Sequence, residues 1–494
     1  MDVFTAPDYA LGRLVLLRGL GLVYLIAFVS ALNQFRALIG ARGLLPVPRF
    51  LARVSWKQAP SLFHLRYSDR LFAGVCWIGI LLSAAVIAGL PERASVWVGV
   101  AVWLALWALY LSIVNVGQTF YSFGWESILL EAGFFAAFLG PAHLAPPVIT
   151  IFCFRWLLFR VELGAGLIKL RGDRCWRDLT CLDYHHETQP IPNPLSWYFH
   201  HLPKPLHRLE VAGNHLTQLA APFALFLPQP VAGAAACLIV LTQSYLLLSG
   251  NFAWLNALTL VLAFSAVPDG WLAPVLPGTP PVEAALPVGF FALTVVVGLV
   301  VLVLSWRPVR NLVSRRQRMN VHYNPFHLVG SYGAFGSVTR TRHELVIEGT
   351  RDDDPETATW RPYTFKAKPG DPLRRPRQVA PYHLRLDWLL WFVPLSPPAH
   401  QHWFVPLIRK LLQGESATLA LMAGDPFPEG PPRWIRAGFW RYRFTTPAER
   451  RETGAWWLRT PEGVYLPATA LGEGGRLVTD RDTPDGRFPG AAGR

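Results

Sequence analysis

The chain is poor in charge. Only 16% of its 494 residues are Asp, Glu, Lys or Arg, against 52% hydrophobic. Soluble domains carry about a quarter charged residues, so an ordinary soluble protein is excluded. Lysine is nearly missing: Lys57, Lys169, Lys204, Lys366, Lys368 and Lys410 are the whole set, and the net charge of +14 rests on arginine. With no nucleic-acid module present, that charge points to anionic headgroups and membrane lipids, not to nucleic acid. The five cysteines are too few for a disulfide framework. Cys76, Cys153 and Cys237 lie in apolar runs as small core residues, while Cys175 and Cys181 share one loop and pair only in an oxidising compartment; their redox state is open. Without CxxC or Cys/His quartet spacing, no metal is expected. Also missing are Asn-x-Ser/Thr acceptors, a GxSxG elbow, a phosphate loop and a GxGxxG fingerprint, and nothing asks for a cofactor. A basic leader is lacking as well, since Asp2 and Asp8 precede the first apolar run, which is span-length and expected to stay as an anchor.

What the chain has is apolar runs. Nine can be drawn, at about 12–32, 71–90, 96–116, 125–140, 148–170, 209–228, 231–249, 251–267 and 287–306. They predict an α-helical polytopic membrane protein over residues 1–308. Basic residues crowd the connection after the first run and the stretch RPVRNLVSRRQR after the last. If all nine runs cross, these segments, the 171–208 loop and the C-terminal region share the cytosolic side. From 315 to 470 the pattern changes. GAFGSVTRTRHELVIEG and WRPYTFKA read as strands joined by the acidic turn RDDDPETAT, RWIRAGFWRYRF alternates like a half-buried strand, AWWLR looks similar, and 384–392 and 404–412 read as short helices. A β-rich, sandwich-like domain is predicted there, with a disordered tail over 471–494.

The organising stretch is 148–205. Its apolar run holds Arg155, Glu162 and Lys169, seven apart, within about 40° on one helix stripe, while Arg160 points elsewhere. An ionisable group at mid-bilayer costs roughly 2.5–3.5 kcal/mol, so this stripe faces protein or water. Glu126 and Glu131 are the expected counter-charges for Arg155 or Lys169, and Asn214, Gln218, Gln243 and Asn256 are further candidates for the same interior. The loop that follows offers Trp176, Asp183, Tyr184, His185, His186, Glu187, Trp197, His200 and His201, read as an interfacial binding surface. Imidazoles and carboxylates suit a metal, but HExxH spacing is missing and three prolines break the segment.

Several strings resemble the lipase maturation factor family: GQTFYSFGWESILLEAGF, RWLLFRVELGAGLIKL, CLDYHHETQPIPNPLSWYFHHLP and GNFAWLNALTLVL, then VAPYHLRLDWLLWF and GDPFPEGPPRWIRAGFWRYRFT. The resemblance spans about 117–466, with its core at 117–262. It implies a multi-pass membrane protein that, in animals, sits in the endoplasmic reticulum and helps dimeric lipases fold and assemble, with its C-terminal domain in the lumen. It brings no catalytic residue. Scarce lysine beside abundant Gly, Pro, Ala and Arg suggests a bacterial-type member, hence an inner membrane in place of the reticulum. A shorter stretch, GAGLIKL with Trp176, is similar to the vitamin K-dependent carboxylase, where the matching lysine acts as a base; Lys169 is the catalytic candidate under that alternative. A transporter is the third reading. The expectation taken forward is a non-enzymatic factor that binds a client lipase, another secreted hydrolase, or lipid.

Overall fold

The computed structural model describes residues 4–276, 285–395, 401–472 and 476–479. The helical part is built from α1 (Ala10–Leu38), α2 (Asp69–Ile87), α3 (Val96–Val116), α4 (Gly124–Ala136), α5 (Val148–Arg171), α6 (Leu182–Thr188), α7 (Lys204–Leu219), α8 (Val231–Ser249), α9 (Leu255–Ala263) and α10 (Val288–Leu304). Local chemistry starts several of them. Ser68 caps α2 by accepting from the Leu71 N–H. Pro147, Pro203, Pro230 and Pro287 stand immediately before α5, α7, α8 and α10. A proline there interrupts any preceding helix and leaves its own missing N–H uncosted.

Apart from α6, the helices run back and forth between two ends. At one end the start of α1 meets the α4–α5 turn, where Arg13 donates to the Ala142 carbonyl and Ala6 to that of Pro146. Asp269, beyond α9, accepts from the backbone of Ala10 and Leu11 at the same end. At the other end lie the 39–68 connection, the 172–203 loop and the basic 305–318 segment, together with the whole C-terminal domain. Among the described residues, five helical stretches are long and apolar enough to cross a membrane: Pro7–Leu38, Asp69–Ile87, Val96–Val116, Val231–Ser249 and Val288–Val313. The count of nine full spans is therefore approximate. α5 is long but charged, and α4 has only 13 residues, about 20 Å of helix against a hydrocarbon core of roughly 30 Å.

The C-terminal domain carries β1 (Arg342–Thr350), β2 (Arg361–Pro362), β3 (Trp434–Phe444), β4 (Trp457–Leu471) and β5 (Leu477–Thr479), with α11 (Arg385–Phe392) and α12 (Phe404–Leu412). The strands form one antiparallel sheet in the order β2-β1-β3-β4-β5. Pairing Leu345 with Phe439 and Ile347 with Ala437 puts alternate residues on opposite faces. Leu345, Ile347, Ile435 and Ala437 share a core with Leu407, Ile408 and Leu411 of α12. On the other face Val346, Tyr442 and Phe444 pack with Trp197 of the 172–203 loop. The domain is thus β-rich; among the described residues its one sheet is covered by a helix and a loop where a sandwich would place a second sheet. GAFGSVTRT is not a strand; it lies along α5, with the Gly336 carbonyl accepting from Asp173. Within the 471–494 segment expected to be disordered, Leu477–Thr479 instead form β5, paired with β4; residues 473–475 and 480–494 lie outside the described residues.

Candidate functional site

The charged stripe of α5 faces inward, and its members go to separate partners. Arg155 donates to the Ser265 and Leu225 carbonyls at 3.0 and 3.2 Å and lies 4.9 Å from the Tyr9 ring centre. Glu162 accepts from Gln243 at 2.7 Å, and Gln243 in turn accepts from Asn256 at 2.7 Å. Lys169 donates to Gln218 at 2.8 Å and Asn214 at 3.3 Å, with its ammonium 4.8 Å from the Trp176 ring centre. The amides of α7, α8 and α9 do line this interior.

The carboxylates of α4 are not its counter-charges. Glu131 pairs with Arg160, the arginine that points off the stripe, and also accepts from Tyr332 at 2.7 Å and from the Gly330 N–H at 3.2 Å. Arg160 closes that ring by donating to the Gly330 carbonyl at 2.7 Å. Glu126 pairs with Arg385 of α11 at 2.6 Å and accepts from Tyr110. Arg385 also donates to the Phe120 carbonyl at 2.7 Å, and its guanidinium lies 3.5 Å from the Tyr121 ring centre. Gln34 of α1 completes the clamp, donating to the His383 carbonyl at 2.7 Å and accepting from the Arg385 N–H at 2.9 Å. Sequence reasoning missed Arg160 and Arg385. A signal existed for the first, an arginine on the next antiparallel helix; none existed for the second, which lies 259 residues from its partner.

The glycines of GAGLIKL explain that motif. A Cβ on Gly164 would stand 2.2 Å from the Tyr332 carbonyl oxygen, and one on Gly166 would stand 3.0 Å from Gln218 Cβ. Each glycine lets a neighbouring segment lie directly on α5.

The loop read as an interfacial binding surface is largely covered by other parts of the chain. Trp176 is buried and donates to the Phe335 carbonyl at 2.8 Å. Trp197 donates to the Thr445 carbonyl at 2.8 Å, and Glu187 accepts from the Phe444 N–H at 2.7 Å. Arg342 of β1 donates to the backbone carbonyls of Glu187 and Pro190 at 2.9 and 3.0 Å. His200 lies 3.7 Å from Glu187, and His201 contacts the Trp197 carbonyl at 2.7 Å. Tyr184 sits under the Arg340 guanidinium, 5.9 Å from its ring centre, and Asp183 meets His207 at 3.3 Å. Burial pushes His185 and His200 down to about 4 and His186 well below the usual imidazole range, while it raises Glu187. Tyr198, 46% exposed, is the main part of the surface still open. Cys175 and Cys181 are joined in a disulfide packed with Trp176 and Val211. Within this arrangement the Lys169 amine is held by two amide oxygens and a ring.

Comparison with known proteins covers nearly the whole chain. The family model described as lipase maturation factor transmembrane domain matches residues 11–274, and that of the lipase maturation factor C-terminal domain matches 328–467. The first match begins well before the motifs at 117. The chain is 41% identical to lipase maturation factor 1 of Homo sapiens over 96% of its own length and 90% of that protein. The same identity and coverage hold for lipase maturation factor 1 of Mus musculus. Lipase maturation factor 2 of Homo sapiens is 29% identical over 94% of this chain and 83% of its own. No solved structure matches.

Proposed function

Because the chain belongs to the lipase maturation factor family, we propose that it brings a secreted lipase or related hydrolase to its active fold by binding the client at the membrane surface, without chemistry of its own. The observation that carries this reading is the 41% identity to lipase maturation factor 1, which runs through both the membrane domain and the C-terminal domain. Neither the carboxylase nor the transporter alternative draws support from these comparisons. The engagement of Lys169 by Gln218 and Asn214 favours a strut over a base.

The client surface we assign is the rim where loop and sheet meet. There the Arg450 guanidinium lies 3.5 Å from the Trp456 ring centre and 5.6 Å from that of the exposed Tyr198. Aromatic and arginine groups together are the usual anchors of protein interfaces. We also place this end of the molecule on the oxidising side of the membrane. A disulfide needs an oxidising compartment, which is a stronger constraint than the charge bias that points to the cytosol.

The test is co-expression of the full-length protein with a dimeric secreted lipase. Active secreted lipase should rise with the protein and fall on its removal, and a photo-crosslinker at Tyr198 should capture the lipase. Unchanged lipase activity together with no crosslinked lipase overturns the proposal.

A further inference from the structure

A second cluster lies apart from the struts, where the histidine loop meets α7. His186 comes from α6, while His207 and Glu210 stand three apart on α7 and so share one face of that helix. One donor atom from each of the three residues lies within 4.8 Å of the donor atoms of the other two. The ring centres of His186 and His207 are 5.9 Å apart, and both side chains are buried, each 2% exposed.

Buried polar groups as a rule have hydrogen-bond partners, and one with none needs a reason. Among the described residues, neither ring nitrogen of His186 has one. His207 supplies an independent sign. Its Nε2 lies 2.9 Å from the Phe199 carbonyl and its Nδ1 lies 3.3 Å from the Asp183 carboxylate. Both neighbours are acceptors. A neutral imidazole can donate to only one of them, and a cation between its other nitrogen and the carboxylate would satisfy both. A backbone carbonyl holding the far N–H is also the arrangement that orients metal-binding histidines.

We propose that His186, His207 and Glu210, with Asp183 beside them, bind one divalent cation of the zinc class. Two imidazoles and carboxylates match the donor preference of zinc and its neighbours and disfavour magnesium and calcium. Around a tetrahedral ion with bonds of about 2.0–2.1 Å, donor atoms stand roughly 3.3 Å apart. The His207–Asp183 pair already has that spacing. The donors of His186, His207 and Glu210 need to draw in toward one another by about 1.5 Å at most, which side-chain rotation supplies. The ion would staple the histidine loop to α7, and with it the platform on which the sheet rests.

The test uses the full-length protein in detergent, stripped with chelator and then titrated with Zn²⁺ or Co²⁺. One ion per chain should survive desalting, Co²⁺ should give the strong visible absorption of a tetrahedral site, and zinc should raise the melting temperature. His186→Ala and Glu210→Gln should each weaken binding at least tenfold. His143→Ala, on the exposed opposite end, should bind as the parent does. Glu210→Gln keeps the side chain's size, so its elution volume and helical content are expected to match the parent. No stoichiometric zinc in the stripped and titrated parent, or a folded Glu210→Gln protein with undiminished affinity, overturns the site.

Discussion

Changing Glu126 to Gln leaves the Arg385 guanidinium fully buried opposite a neutral amide. Both side chains of this pair are 0% exposed, and it links the membrane domain to α11 of the C-terminal domain. Breaking a buried ion pair from one side costs about 3–5 kcal/mol, because the remaining charge loses its compensation without regaining water. The Phe120 carbonyl and the Tyr121 ring still hold Arg385, so the low end, about 3 kcal/mol, is expected for Glu126→Gln. Arg385→Met should cost a similar amount, since Glu126 keeps only neutral donors such as Tyr110. The double variant replaces the pair with an amide and a hydrocarbon and should recover most of the loss, a coupling of about 2–3 kcal/mol. Hydrogen exchange of the α11 amides reads this directly: 3 kcal/mol is roughly a hundredfold faster local opening. The single variants should show that acceleration and the double should return most of the way. Exchange in α11 that is unchanged in Glu126→Gln, or a double variant as impaired as the sum of the singles, refutes the clamp.

Four further outcomes follow. Gly164→Ala forces the Tyr332 segment off α5 and should cost about 1–3 kcal/mol, seen as a lower melting temperature than Gly213→Ala, where an added Cβ meets nothing within 4 Å; equal melting temperatures would refute the close approach. Lys169→Arg should fold and function while Lys169→Ala is destabilised, as measured by detergent-solubilised yield and lipase maturation; loss of function in a stable Lys169→Arg protein would revive the base. Burial lowers His383 from 6.5 to about 4 and His327 from 6.5 to about 3. The unfolded chain therefore takes up these protons first, so stability is complete above about pH 6.5 and falls as pH drops toward 4, by at most about 1.4 kcal/mol per pH unit per group. Denaturation midpoints against pH should show that slope, and His383→Gln should flatten it. Finally, Cys175 and Cys181 should resist thiol reagents until reduced, and a cysteine placed at the exposed position 452 of the C-terminal domain should label from the non-cytosolic side; labelling from the cytosol would reverse the assigned orientation.

The membrane class, the inward-facing stripe of Arg155, Glu162 and Lys169, the strand at 433–444 and the second half of the strand read at 333–349 were legible in the sequence. Each follows from hydrophobic period and composition, which are local properties of a segment. The partners were not legible. Period says which face a residue occupies but not what lies across from it, so Glu126 and Glu131 could not be matched to Arg385 and Arg160. The histidine loop misled for the same reason. Its tryptophans and histidines have the composition of a membrane-interface surface, yet Trp197 and His200 pack against the sheet and Trp176 against the segment at 335–338, both formed far later in the chain. The sequence by itself determined which residues had to leave lipid and water. Only the tertiary structure decided where they went, because a buried charge is stabilised by a partner at about 3 Å, and that distance is set by how remote parts of the chain pack.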